Sequence, residues 1–410
     1  MKLHHAPRSL LAMLAGLMLL PGCLIDQIGG AFGKPPDELQ KTASAAAQKL
    51  IDQAFDDIDP ARLVDFHTHI AAIGTTIPGA FVNPKMRSGL NLDRLKFLIY
   101  TSASGIKKLE NADQEYIERL VHLARAIKRH GKYHILALDK NYNPDGTVNL
   151  TKTNMYVPND YVVELARRHP DIFSPVISVH PYRQDALVEI DKWAEAGLKY
   201  IKWLPNAMGI DPAAKSVEPF YRRMKQHNMI LLSHAGEEQA VQAEEDQRLG
   251  NPLLLRKPLD IGVRVIVAHA ASLGSCEDLD NPAANKLPCF DLFLRLMDEP
   301  KYVGRVFGEI SAMLQFNRMP GPLTALLKRQ DLHPRLVNGS DYPLPAINLL
   351  IWTRSLARDG FITAEERQAL NEIYDYNPLL FDFVLKRTVN HPETKQKLAP
   401  SIFMENPGLE

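Results

Sequence analysis

Residues 198–236 read LKYIKWLPNAMGIDPAAKSVEPFYRRMKQHNMILLSHAG, and their pattern decides the fold. The ends, LKYIKWLP (198–205) and MILLSHAG (229–236), are short apolar runs of strand character. Between them EPFYRRMKQHN (218–228) carries its apolar residues at helical spacing. A strand, a helix and a second strand at this spacing form the unit of a parallel sheet with a right-handed crossover.

The same unit recurs in both directions. Toward the N-terminus lie RLVDFHTH (62–69), YHILALDK (133–140) and SPVISVHP (174–181); toward the C-terminus lie VRVIVAHA (263–270), VGRVFGEI (303–310) and RLVNGSDY (335–342). Helical stretches such as DQEYIERLVHLARAIKRH (113–130), NDYVVELARRH (159–169) and QDALVEIDKWAEAG (184–197) separate them. Eight strands alternating with helices predict an α/β fold of the (β/α)8 TIM-barrel type. A doubly wound sheet is the alternative, but no Gly-rich dinucleotide turn follows the first strand. The first crossover is long, includes LNLDRLKFLIY (90–100), and is expected to cover the active site.

Composition agrees with one large globular body. The chain has 410 residues, 45% hydrophobic, which is too apolar for a disordered protein. Its 48 basic and 48 acidic residues give no cationic excess for nucleic acid. One long apolar run exists, at the start: MKLHHAPRSLLAMLAGLMLLPG (1–22) has Lys2 and Arg8 ahead of an apolar core, followed by Cys23. This resembles a bacterial lipoprotein signal, although Pro21 departs from the usual pattern. The resemblance implies lipidation of Cys23, and Leu24 after it implies the periplasmic face of the outer membrane. Loss of residues 1–22 removes two bases and no acid, so the mature chain would carry two net negative charges. The organisation expected is a signal at 1–22, a tether and helix at 23–60, the barrel at 61–390 and a tail at 391–410. In an oxidising compartment the remaining cysteines, Cys276 and Cys289, are either bridged or two free thiols.

The ends of the runs carry the chemistry. His67 and His69 end the first, two apart, so that both imidazoles can project to one side. His234 ends the fifth, His269 the sixth and Asp341 the eighth. TIM barrels place their catalytic groups at the C-terminal ends of strands. Four histidines and an aspartate converging there are ligands for zinc or a similar divalent ion, one or two in number. Such an ion would ionise water near neutral pH, with Asp341 as proton acceptor and a metal or His269 polarising the carbonyl under attack. The expected reaction is hydrolysis of an amide, lactone or ester bond of a small molecule.

DFHTH, GLKYIKWLP, LLSHAG, VAHA and NGSDYP at these strand ends, with NPLLF (377–381), resemble the amidohydrolase superfamily, particularly its amidohydrolase-related branch, over about 62–387. The resemblance implies that His67, His69 and Asp341 bind one metal and that His234 is a ligand in both one-metal and two-metal forms. His269 would bind a second metal or act on substrate. Lys202, ending the fourth run, matches a lysine that two-metal relatives carbamylate to bridge the metals. It could equally bind a substrate carboxylate or pair with Glu309. Related barrels include one-metal decarboxylases, so decarboxylation is the alternative reaction; a lipid-anchored binding protein without turnover is a third reading.

Weaker candidates complete the set. Glu309, ending the seventh run, is expected to fix a ligand histidine's tautomer. Asp139, Lys140, His180, Tyr182 and Arg183 follow the second and third runs, and Arg183 could fork onto a substrate carboxylate. Packing roles are as natural for these, and for Trp203.

Overall fold

The computed structural model describes residues 33–89 and 91–410, with Ile25, Ile28 and Gly29. Cys23 and the signal-like segment lie outside the described residues.

Eight strands form the centre: β1 Val64–His69, β2 Lys132–Leu136, β3 Phe173–Val176, β4 Tyr200–Trp203, β5 Ile230–His234, β6 Arg264–Ala268, β7 Val306–Glu309 and β8 Leu336–Val337. Parallel ladders join β1, β2 and β3, and then β4 through β8. Two parallel bridges, Ile177 with Ile201 and Thr68 with Tyr342, join these groups. Lys202 N donates to Ile177 O at 2.7 Å, and Asp341 N to His67 O at 2.7 Å. The ring is therefore closed, and the fold is a TIM barrel.

The helices that matter below, numbered in chain order, are α1 Ala45–Ala54, α2 Leu92–Ala103, α3 Ala112–Arg125, α4 Glu218–Gln226, α5 Cys289–Asp298 and α6 Pro378–Thr388. Of these, α4 shows the amphipathic pattern, whereas α6 is buried on nearly every side. In α4, Phe220, Tyr221 and Met224 are buried while Arg222, Lys225 and Gln226 are exposed. Trp203 packs on Phe220 and Tyr221, with ring centroids 5.2 and 5.7 Å away, and its Nε1 donates to Val179 O. It is a core residue of the outer layer.

The barrel interior below the site is packed by Val64, Phe66, Leu136, Ile230, Ile266 and Phe307 among others, with Leu409 from the C-terminus in the same cluster. Residues 391–410 thus pack against the barrel, where Ile402 and Phe403 are also buried. The first crossover carries α2 and α3. Asp113, near the start of α3, gathers the chain leaving β1 by accepting from Ile73 N, Thr76 N and Ile77 N. Cys276 and Cys289 are joined by a disulfide that ties the chain after β6 to the first residue of α5.

Candidate metal centre

A one-residue irregularity in β1 aims the first two ligands. Asp65 pairs with Tyr133 of β2, but Thr68 pairs with Ile135, so β1 takes one extra residue between them. Val64 and Phe66 face the barrel interior; strict alternation would send Thr68 inward next. The bulge shifts the phase and lets His67 and His69 converge instead. Asp65 Oδ1 accepts from His67 N at 2.9 Å and from Ser340 N at 3.0 Å, satisfying donors near the bulge and fastening β1 to the β8 loop.

Left-handed backbone places two more. His269, Ala270 and Ala271 have φ of 55°, 47° and 48°, and Asp341 has φ of 60°. Such conformations cost roughly 1 kcal/mol or more each for a residue with a Cβ, and they persist where surrounding contacts enforce them. Gly339 lets the β8 loop pass close: a Cβ there would meet Glu309 Oε1 at 2.5 Å and the His67 Cβ at 2.6 Å.

The ligand atoms form a tight group. His67 Nε2 and His69 Nε2 are 3.2 Å apart, and Asp341 Oδ1 is 3.1 Å from His69 Nε2 and 3.6 Å from His67 Nε2. A tetrahedral zinc site with bonds of about 2.0–2.1 Å separates its ligand atoms by about 3.3 Å. These edges match that triangle. His234 is buried at 2% exposure, and neither ring nitrogen has a hydrogen-bond partner. A buried imidazole without partners is costly unless something else uses its lone pair. Donor set, spacing and orphaned ring all fit a divalent metal.

Protonation follows from burial. It keeps the imidazoles of His67 and His269 neutral well below the ordinary range, and pulls His234 down to about 3. Burial pushes the Asp341 carboxyl up, but His269, His67 and His69 outweigh it and hold the group ionised. The ring tautomers can be assigned from partners. Glu309 Oε2 lies 3.0 Å from His67 Nδ1 and accepts from Ser311 Oγ at 2.7 Å. His67 therefore donates through Nδ1 and keeps the Nε2 lone pair free. Ser311 spends its proton on Glu309, so it accepts from His269 Nδ1, 2.7 Å away, leaving His269 Nε2 unprotonated.

Lys202 Nζ lies 3.1 Å from His67 Nε2, and the residue is 1% exposed. Burial pushes its amine down, against the pull of Asp341, Glu309 and Glu238. The structure thus brings His67, His69, Lys202, His234, His269, Glu309 and Asp341 to one place. It does not bring the second- and third-strand candidates, Asp139, Lys140, His180, Tyr182 and Arg183, there. Arg183 pairs with Asp139 at 3.1 Å and Asp185 at 2.8 Å, so its fork is occupied. His180 Nε2 contacts Met208 O, the Tyr182 hydroxyl accepts from Asp211 N, and Lys140 Nζ sits over the Tyr156 ring. These groups hold loops.

Three residues that sequence reasoning passed over serve the centre. Glu238, four after His234, puts Oε2 3.5 Å from His234 Nδ1 and fixes its own loop by accepting from Ala240 N and Val241 N. The H-x-x-x-E spacing was its visible signal. Lys386 of α6 donates to Gly339 O at 2.6 Å and pairs with Asp382, also at 2.6 Å, holding the loop that carries Asp341. Arg318, in the loop after β7, is 8% exposed and donates to Ser272 Oγ. Neither Lys386 nor Arg318 had a local sequence signal. Over this face, α2 fastens the loop after β5 through Lys96 Nζ to Gln239 O and the Tyr100 hydroxyl to Ala240 O.

The amidohydrolase family model matches residues 64–348, well over half of the chain. No curated protein matches. Solved structures with similar folds include an uncharacterised TIM-barrel protein from Bordetella bronchiseptica, 16% identical, covering 76% of this chain and 99% of that one, with a TM-score of 0.47. A probable 2-pyrone-4,6-dicarboxylic acid hydrolase from Acinetobacter baumannii is 13% identical over 76% and 99% of the two chains, with a TM-score of 0.44. The 5-carboxyvanillate decarboxylase of Sphingomonas paucimobilis is 10% identical over 77% and 96%, with a TM-score of 0.43. With the ligand ring lying inside the matched span, the chain belongs to the amidohydrolase family.

Proposed function

We propose that this enzyme is a zinc-dependent hydrolase that cleaves an amide, lactone or ester bond of a small molecule. The observation that carries the reading is Lys202 Nζ, buried 3.1 Å from His67 Nε2 within the ligand ring. A lysine there, with its amine pushed toward the neutral form, suits a carbamate shared between two metals. His67, His69, His234 and Asp341 would hold one ion; His269, and Lys202 once carbamylated, would serve a second. A divalent cation bound here supplies Lewis acidity toward a substrate carbonyl and makes water easier to deprotonate. Asp341, ionised, accepts the proton of the attacking water and returns it to the leaving group. Glu309 and Ser311 keep the lone pairs of His67 and His269 directed into the site, and the α2 cover limits water. Decarboxylation is the second reading, favoured by His269, whose Nδ1 is held by Ser311 so that Nε2 is the ring atom that would take a proton from solvent and deliver it to substrate carbon as the carbon–carboxylate bond breaks and CO2 leaves.

The test is metal analysis of the purified enzyme and of Lys202→Met, together with assays on lactone, amide and ester panels. Two metals per chain, falling to one in Lys202→Met with loss of hydrolysis, is the expected result. One metal in both proteins, with CO2 release from carboxylated aromatic substrates, would replace hydrolysis by decarboxylation. Absence of metal, with ligand affinity unchanged in His67→Ala, would leave a binding protein.

We also infer export and lipid attachment at Cys23. The Cys276–Cys289 bridge supports this reading, because disulfides persist in oxidising compartments. Growth with labelled fatty acid, comparing wild type and Cys23→Ser, checks it.

A further inference from the structure

Three large apolar side chains stand together in solvent on the face that carries the metal centre. Phe316 is 45% exposed, Leu349 52% and Trp352 48%. Phe316 and Trp352 stack, with ring centroids 4.7 Å apart and planes 10° from parallel. Trp352 Nε1 donates to Leu349 O, and Phe316 N to Leu350 O, both at 2.8 Å, so the cluster is held in place. It lies on the loops that follow β7 and β8, the strands that lead to Glu309 and Asp341. Residues 342–353, YPLPAINLLIWT, contain no charged residue. An exposed, uncharged cluster of this kind marks a contact surface.

The N-terminal segment says what it contacts. Ile28 packs on the core, and its carbonyl accepts from Asn348 N at 2.7 Å, one residue before Leu349. Gly29 runs against the end of α2, where a Cβ would meet Ser102 Oγ at 2.5 Å and Ala103 N at 2.7 Å. The chain that follows Cys23 is therefore fastened beside the cluster. Cys23 stands five residues before Ile28, and five residues reach at most about 18 Å. On so short a tether a lipid at Cys23 holds this face of the barrel to the bilayer, and the opposite end cannot turn toward it. Tryptophan, phenylalanine and leucine are also the side chains that bury at the boundary of headgroups and acyl chains.

We propose that Phe316, Leu349 and Trp352 insert into the bilayer that holds Cys23, so that the mouth of the metal centre faces the membrane surface. This rests on the lipid attachment inferred above.

The chain supplies its own probe. Of its three tryptophans, Trp193 and Trp203 are buried and only Trp352 is exposed. The test reconstitutes the lipidated protein into vesicles of phosphatidylethanolamine and phosphatidylglycerol, with and without bromine on the acyl chains. Bromine quenches tryptophan at short range, so Trp352 should lose most of its emission in the brominated vesicles. In Trp352→Phe the emission that remains, from Trp193 and Trp203, should be the same in both. Phe316→Ser with Leu349→Asp keeps the reporter and should lose most of the quenching, with a melting temperature near wild type because both positions are exposed. Absence of quenching in lipidated wild type, quenching that persists in Trp352→Phe, or quenching undiminished in the double variant overturns the proposal. Self-association of wild type in detergent solution that the double variant abolishes would assign the cluster to a second copy and also overturn it. Fatty-acid labelling scores the anchor separately: without label the attachment at Cys23 fails, and quenching of Trp352 when the protein is added to the same vesicles still decides whether the cluster enters lipid.

Discussion

Replacing His134 with Phe should flatten the acid limb of the stability curve by about 2 kcal/mol between pH 7 and pH 5. His134 lies in β2, 8% exposed, with its ring centroid 4.7 Å from Phe66 and 5.0 Å from Tyr200 in the lower barrel. Its Nδ1 has no partner, and burial pulls the imidazole down to about 4 from an ordinary value near 6.5. Between those values the unfolded chain binds a proton that the folded chain refuses. Stability therefore rises with pH through this window and is lost as pH falls. The complete effect is about 3 kcal/mol, of which about 2 has appeared by pH 5. Phenylalanine does not titrate, has similar volume and leaves no orphaned nitrogen, so at pH 7 the variant should match wild type within about 1 kcal/mol. The assay is urea denaturation of both proteins at pH 7 and pH 5, with m-values checked for equality. Other groups that titrate in this range do so in both proteins and cancel in the difference. Equal losses on acidification would refute the reasoning.

Further outcomes follow from other parts of the molecule. Lys386→Met should destabilise by about 3–5 kcal/mol, because Asp382 is left buried without its cation; chemical denaturation measures it. Cys276→Ser with Cys289→Ser opens a loop of 13-residue separation and should cost about 3 kcal/mol on the chain-entropy model, read by denaturation with and without reductant. Gly339→Ala drives a methyl into Glu309 and His67, so bound metal should fall while far-ultraviolet circular dichroism stays native. Removing metal with a chelator should lower the melting temperature of wild type, and much less that of His69→Ala.

The barrel was legible in the sequence because short apolar runs and the amphipathic stretches between them are local features, and the runs recur eight times. The residues of the centre were legible for a related reason: each is a metal-binding type standing where a strand run ends, so position along the chain stands in for position in space. Even so, the i, i+2 spacing of His67 and His69 did not reveal how they come to face the interior. Plain alternation after Val64 and Phe66 would have sent Thr68 inward. The bulge that corrects the phase depends on Asp65 reaching Ser340, 275 positions away. Lys386 and Arg318 were invisible for the same reason, since each acts through a partner on another loop, Gly339 or Ser272. Arg183 shows the converse, for its place after a strand suggested substrate while two carboxylates had already taken its fork. Sequence alone determined which elements form and which residue types stand at their ends, because those depend on neighbours in the chain. Tertiary structure decided which ends share a site, which lone pairs are free and which charges are paired, because those depend on closure of the ring.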